Sequence, residues 1–195
     1  KQEVREYLKE KGFEIVRIPT HGGKLDMDIL ERELTENTIL VTMMMVNNET
    51  GAVNPVEMIS RAVKRVSAPA LIHVDAIQGF GKLPVKPSKM GIDLLTVSGH
   101  KVHAPKGVGA LYVSKNAKNI KPVVFGGGQG IGLRSGTENV PGASAFAEAA
   151  RLDREANPTT DVDGIDTWHK VILSSNIAFG ISVDESTVPA AGIRH

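Results

Sequence analysis

The stretch IDLLTVSGHKVHAPKGVGALYV (92–113) contains two apolar runs separated by a short polar turn. The first run, IDLLTVS, has the length and composition of a buried strand, and GVGALYV forms the second. The turn between them is too short for a helical crossover, so the two strands are predicted to pair antiparallel. Lys101 lies in that turn, directly after the first strand.

Upstream of this stretch, apolar runs alternate with amphipathic segments. TILVTMMMV (38–46) and ALIHVDA (70–76) are predicted to be strands, with the first buried on both faces, and FEIVRIP (13–19) is predicted to be a further strand. The predicted helices cover residues 4–11, 25–38, 55–67 and 143–156. This alternation predicts an α/β domain with a mainly parallel sheet and flanking helices.

Composition excludes several classes of protein. The chain has 195 residues, is 41% hydrophobic, and carries 23 Lys+Arg against 22 Asp+Glu, so it can bury a core and has no charge bias toward nucleic acid or membrane surfaces. No apolar run approaches the roughly 20 residues of a membrane span, and the polar opening predicts a soluble, cytoplasmic protein. The sequence contains no cysteine, which excludes disulfides, thiolate metal sites and a cysteine nucleophile within these residues.

Polar clusters follow three of the predicted strands. In open α/β sheets, ligands bind beyond the carboxyl ends of the strands, so side chains from NNET, HVDAIQ and SGHK are expected to converge there. Each residue taken alone also suits an ordinary turn or a helix cap. The candidates are Asn48, Asp75, Gln78, Ser98, His100 and Lys101.

Lys101 has the most specific chemistry among these candidates. Partial burial and the neighbouring His100 both favour a neutral, nucleophilic amine, which is what a Schiff base to an aldehyde requires. The commonest aldehyde cofactor, pyridoxal 5′-phosphate, also needs an acid at its ring nitrogen, and Asp75 is the candidate. Gln78 could reach the phenolic oxygen of the ring, while Ser98, His100 and turn amides could bind the phosphate.

Four motifs together resemble one family: VNNETGAVNP, HVDAIQGFGKLPV, SGHKVHAPKGVGALYV and LRSGTENVPG are similar to the cysteine desulfurases of the class V aminotransferase group. The RSGTEN form resembles the nitrogen-fixation and iron–sulfur-cluster type. The resemblance implies the large domain of a fold type I pyridoxal-phosphate transferase. It predicts that residues 1–153 are part of this cofactor-binding domain and that 154–195 form a divergent or truncated tail.

The resemblance also implies roles for the candidates around the cofactor ring. Lys101 would hold the cofactor covalently and act as the catalytic lysine. Asp75 would pair with the ring nitrogen, Gln78 would contact the phenolic oxygen, and Asn48 would lie beside that oxygen and the substrate.

Around the phosphate, the resemblance implies a site shared between two subunits. Ser98 and His100 would bind the phosphate of their own subunit, and Thr137 would reach the phosphate of the neighbouring one. A homodimer is therefore expected.

The family's reaction removes sulfur from L-cysteine and gives L-alanine and an enzyme persulfide. The sulfur then passes to an acceptor or scaffold protein for iron–sulfur clusters or thio-cofactors. Because this chain has no cysteine, we expect negligible turnover by the chain alone. The alternative is an inert remnant of a cofactor site, or an interaction module.

Two other interpretations of the sequence are a metal site and a nucleotide-binding site. A metal-dependent hydrolase could use His73, Asp75, His100 and His103, but no HExxH-like pattern accompanies them, and no metal site is predicted. A nucleotide-binding domain could use the glycines of GVGALYV or GGGQGIG. Neither run has the GK[ST] ending of a phosphate-binding loop or the acid of a dinucleotide fold.

Overall fold

The computed structural model describes residues 2–118 and 120–155, which form an α/β arrangement of one mixed sheet, one small hairpin and flanking helices. The helices are α1 (Gln2–Glu10), α2 (Met27–Glu33), α3 (Val56–Arg65), α4 (Pro87–Met90) and α5 (Val140–Glu155). The strands are β1 (Thr20–His21), β2 (Lys24–Leu25), β3 (Leu40–Met44), β4 (Leu71–Asp75), β5 (Leu94–Ser98) and β6 (Gly109–Val113). The predicted α/β class is confirmed.

The main sheet has the strand order β3-β4-β5-β6. β3, β4 and β5 run parallel, because a helix or a long connection returns the chain to the same end of the sheet each time. β6 runs antiparallel to β5, with Leu94 opposite Val113 and Ser98 opposite Gly109. The antiparallel pairing predicted from the short turn is confirmed.

One face of this sheet carries the core. In β4, Ile72 and Val74 are 3% and 0% exposed and belong to the same buried cluster as Ile59 and Val63 of α3. Because side chains alternate along a strand, His73 and Asp75 lie on the opposite face.

The prediction that TILVTMMMV is buried on both faces is wrong. Among the strands that the structure describes, β3 lies at the edge of the sheet, and Leu40 at its start remains 47% exposed. β4 and β5 are buried at every second position only, so the described helices bury one face of the sheet. An apolar run in the sequence is therefore compatible with an edge strand as well as with a strand that is buried on both faces.

The N-terminal region also differs from its prediction. Residues 13–19 do not form a strand, since no neighbouring strand in the described part of the chain pairs with them. Instead, β1 and β2 form a small hairpin around Gly22 and Gly23. The positive φ angles of these glycines, 56° and 79°, suit the tight turn that joins two antiparallel strands.

All four predicted helices have different limits in the structure, and two of them illustrate the change. α2 begins after Asp26, whose carboxylate accepts the Ile29 N–H at 2.9 Å, and ends at Glu33 because Leu34 is extended. α5 begins three residues earlier than predicted, at Val140. Residues 156–195 of the predicted tail lie outside the described residues.

Candidate active site at the ends of the parallel strands

The ends of β4 and β5 bring the main candidates to one edge of the sheet. Asp75 is the last residue of β4 and lies opposite Thr96 of β5. β5 ends two residues later at Ser98, and Lys101 closes a single-turn 3-10 helix, Gly99–Lys101. Parallel register therefore places Asp75 and the turn that carries Lys101 at the same edge of the sheet. The roles of the two side chains stay predictions.

Gly99 makes the sharp turn after β5 possible. Its N–H donates to the Val108 carbonyl at 2.9 Å, which draws the start of the turn against the chain entering β6. A Cβ atom at this position would lie 2.9 Å from Cγ1 and 3.2 Å from the carbonyl oxygen of Val108. Only glycine fits this approach, and the turn then presents Ser98 and His100 together, with Oγ and Nδ1 2.8 Å apart.

Asp75 and Lys101 both keep polar atoms available to a ligand. Asp75 is half-buried, and its Oδ1 accepts the Ile77 N–H at 3.1 Å. Its second carboxylate oxygen has no hydrogen bond within the described ranges. Lys101 is also half-buried, and its backbone carbonyl accepts from Nζ of Lys82 at 3.3 Å, whereas its own amine has no partner among the described residues.

His73 lies one layer below Asp75 on the same face of the sheet. Its Nδ1 is 2.7 Å from the Thr42 hydroxyl of β3, and its Nε2 is 2.8 Å from the Thr96 hydroxyl of β5. Burial lowers the pKa of His73 below its ordinary value of 6.5, and the Asp75 carboxylate opposes that shift. Burial therefore favours the neutral form of the ring.

These contacts bear on the metal alternative. Both ring nitrogens of His73 are already engaged by hydroxyls, and Nδ1 of His100 is engaged by Ser98. Across residues 2–118 and 120–155, no three side chains of metal-ligating type converge. The geometry gives a metal centre no support.

Three predicted residues remain, and they lie in two other turns and in the glycine-rich loop. Gln78 is half-buried in the turn that follows β4, and Asn48 is exposed in the turn that follows β3. Thr137 is exposed in the glycine-rich loop, whose shape is held by Ser135 Oγ donating to the Val124 carbonyl at 3.1 Å. No hydrogen bond joins Thr137 to the other candidates in the part of the chain described.

Sequence reasoning missed three residues that support the site: Thr42, Thr96 and Lys82. The alternation of His73 and Asp75 in one strand was a readable signal, because residues two apart in a strand share a face. Which threonines flank His73 depends on the register between strands that are far apart in sequence.

Comparison with known proteins identifies the family. Residues 3–163 match the model of the class V aminotransferases, which is more than half of the chain. The chain belongs to the class V aminotransferase family. Within it, the chain is 48% identical over 151 residues to a protein named cysteine desulfurase from Trichormus azollae, covering 77% of this chain and 37% of that protein.

Solved structures of class V relatives agree with this assignment. A NifS-like protein superposes with a TM-score of 0.77 at 38% identity, covering 92% of this chain and 49% of that one. SspA, solved in complex with cysteine, superposes with a TM-score of 0.71 at 36% identity, covering 77% and 43%. The resemblance to cysteine desulfurases and the fold type I architecture are thus confirmed.

The matches cover only part of the length of each relative. The chain spans about 37% of the cysteine desulfurase and about half of the NifS-like chain. Among the described helices, none combines the length and hydrophobicity needed to cross a bilayer. The cytoplasmic location stays a prediction.

Proposed function

We propose that this chain carries the cofactor-binding part of a pyridoxal-phosphate-dependent cysteine desulfurase, and that the protein releases sulfur from L-cysteine to give L-alanine. The observation that carries the proposal is the pairing at the strand ends. Asp75 ends β4 and Lys101 lies in the turn after the adjacent parallel strand β5, and both side chains are half-buried and keep a polar group available. A carboxylate and an amine in this relation are what the ring nitrogen and the aldehyde of the cofactor require.

The side chains present fit the cofactor in chemical type. When bound, pyridoxal phosphate supplies an electron sink for the substrate carbon. The free oxygen of Asp75 would keep a proton on the ring nitrogen, and the Lys101 amine would hold the aldehyde carbon. The Gln78 amide can donate to the phenolic oxygen, as can the side chain of Asn48 in the neighbouring turn.

The phosphate is assigned to the turn after β5. Ser98 and His100 already contact each other there at 2.8 Å, and the hydroxyl and the imidazole N–H can both turn a donor toward an anion. Thr137 completes the phosphate site of a second copy in a homodimer. Its exposure in the glycine-rich loop leaves its hydroxyl accessible for that contact.

The sulfur step needs a thiol from outside these residues. Residues 1–195 contain no cysteine, so a persulfide cannot form on them. In the complete reaction, a thiolate attacks the sulfur of the bound cysteine, the bond from that sulfur to the substrate carbon breaks, and a proton completes alanine. The persulfide then serves a sulfur acceptor or an iron–sulfur scaffold protein.

The decisive experiment measures covalent capture of the cofactor by the chain. Purified chain is mixed with pyridoxal phosphate, reduced with borohydride and freed of unbound cofactor, and its visible and fluorescence spectra are recorded. We expect stoichiometric labelling of the wild type and none above background for Lys101→Ala. Lys106→Ala is the matched control, because Lys106 is exposed in the same turn and has no role in the proposed site.

Two results would reject the proposal. Equal labelling of wild type and Lys101→Ala would mean that surface lysines react without a site. Absence of any label on a folded wild-type chain would favour the inert remnant or interaction module. Adding cysteine to cofactor-loaded chain that has not been reduced tests the whole activity separately, and alanine release with no thiol present other than the substrate would contradict the assigned sulfur step.

A further inference from the structure

Three neighbouring strands are joined by one polar bridge just below the candidate active site. The imidazole of His73 in β4 contacts Thr42 of β3 through Nδ1 at 2.7 Å, and Thr96 of β5 through Nε2 at 2.8 Å. We call these three residues the His73 bridge. The bridge joins β3, β4 and β5. The ends of these three strands lead to Asn48, Asp75 and Lys101.

The hydrogen bonds of the bridge suit a neutral imidazole ring. A neutral imidazole has one donor and one acceptor nitrogen, and a hydroxyl can serve either, so one threonine donates and the other accepts. A charged imidazole would present two donors and would place a positive charge below the Asp75 carboxylate. Burial opposes that charge and lowers the pKa of His73.

The bridge lies directly below the last hydrogen bonds of the sheet at the site. The Met45 N–H donates to the Asp75 carbonyl at 2.8 Å, and the Ala76 N–H donates to the Thr96 carbonyl at 2.9 Å. These two bonds fix the backbone of Asp75 between β3 and β5. Strand ends fray when nothing holds them laterally, and the face that carries His73 is only half-buried.

From this geometry we propose that His73 is a positioning residue: with Thr42 and Thr96 it holds the ends of β3, β4 and β5 together, and so keeps the Asp75 carboxylate beside the Lys101 turn. The inference rests on the proposed function for its purpose, since Asp75 and Lys101 are assigned there. Its structural content can be measured without a cofactor.

The first test uses amide hydrogen exchange on the chain alone. Thr42→Val/Thr96→Val removes both hydroxyls but keeps the β-branched shape, and Thr42→Ser/Thr96→Ser keeps the hydroxyls as a matched control. We expect exchange at Met45 and Ala76 to accelerate about tenfold in the valine pair relative to the serine pair, as the loss of a hydrogen bond predicts. The Ser114 amide, bonded to the Asp93 carbonyl at 2.8 Å at the opposite end of β5, is the internal reference.

The second test separates positioning from general stabilisation. After cofactor loading, the ratio of the cofactor's near-ultraviolet and visible absorption bands responds to the protonation of its ring system, which the Asp75 carboxylate would influence. We expect Thr42→Val/Thr96→Val to move this ratio in the same direction as Asp75→Asn, and to add little when combined with it. The serine pair should retain the wild-type ratio.

Each outcome decides between the possibilities. Unchanged exchange at Met45 and Ala76 in the valine pair, or acceleration shared equally by Ser114, overturns the proposal. Local acceleration with an unchanged band ratio also overturns it, because the bridge would then stabilise the sheet without positioning Asp75. If wild type captures no cofactor on Lys101, the proposed function fails, while the exchange data still decide whether the bridge holds the strand ends.

Discussion

The two faces of the main sheet, built from the same strands, have opposite properties. On one face of β4, Ile72 and Val74 are almost completely buried against the core that α3 helps to form. On the other face, His73 and Asp75 are half-buried and hydrogen-bonded. Because side chains alternate along a strand, the residues that stabilise the fold and the residues of the candidate site lie on opposite faces of the same strand.

This difference means that neighbouring residues should respond to substitution in different ways. Changes on the covered face should act on the free energy of unfolding, through apolar contacts. Changes on the polar face should act on cofactor capture, through a few placed atoms. The following predictions test how sharply the two faces divide these roles, from the largest expected effect to the smallest.

Placing the same side chain at adjacent positions gives the largest contrast. Val74→Asn should lower the free energy of unfolding by about 3 kcal/mol, because it buries an amide without partners at a position that is 0% exposed. Asp75→Asn should change it by less than about 1 kcal/mol but strongly reduce cofactor capture. Denaturant titrations of both variants check this, and comparable losses of stability would remove the distinction between the faces.

Gly99→Ala tests the turn that leads from β5 toward β6 and carries Lys101. The new methyl group would press against Val108, with Cγ1 at 2.9 Å and the carbonyl oxygen at 3.2 Å, so the turn must shift. We expect a loss of about 1–3 kcal/mol in the free energy of unfolding, together with slower labelling of Lys101. Gly107→Ala provides a comparison without crowding, since a Cβ there meets nothing within 4 Å, although its φ of 81° still adds backbone strain. Normal labelling of Gly99→Ala would show that the close approach is dispensable.

The pH dependence of stability should report the His73 bridge. Its folded-state pKa is lowered from 6.5 by burial, so the unfolded chain binds the proton more tightly than the folded chain does. Stability should therefore be complete above about pH 6.5 and fall as the pH drops below that value, by no more than about 1.4 kcal/mol per pH unit. His73→Gln should flatten the curve over this range, and a wild-type stability that rises on acidification would contradict the burial of a neutral ring.

The smallest effect is expected on the solvent-exposed side of the helices that cover the core. Arg65 of α3 pairs with Glu31 of α2, and both side chains are well exposed to solvent. Because water screens such a pair, Arg65→Gln should change the free energy of unfolding by less than about 1 kcal/mol. A larger loss in a thermal melt would mean that charge, as well as apolar contact, holds the helical layer.

Sequence patterns predicted much of this arrangement, for physical reasons that can be named. The strands around Val74 and Val97 and the antiparallel return to β6 follow from run length and turn length, which are local properties. The placement of Asp75 and Lys101 follows from the rule that parallel strands end at one edge. The strands and the antiparallel return need no knowledge of distant partners, whereas the adjacency of the two strand ends depends on the pairing of β4 with β5.

The failures share one cause, which is dependence on distant partners. FEIVRIP has strand composition, but a strand forms only where another pairs with it, and none of the described residues does so. The contacts of His73 with Thr42 and Thr96 depend on register across three strands, 31 and 23 residues apart in sequence. Burial on one face instead of two is likewise set by what packs against the sheet.

The measurement that tests the central claim most directly is the position of the cofactor label after borohydride reduction. The wild-type chain would be incubated with pyridoxal phosphate, reduced, digested and mapped by mass spectrometry over all its lysine-containing peptides. Our account predicts that the label lies on Lys101 and that Asp75→Asn reduces its yield. A label spread over exposed lysines such as Lys106, unaffected by Asp75→Asn, would contradict the assignment of a cofactor site to the ends of β4 and β5.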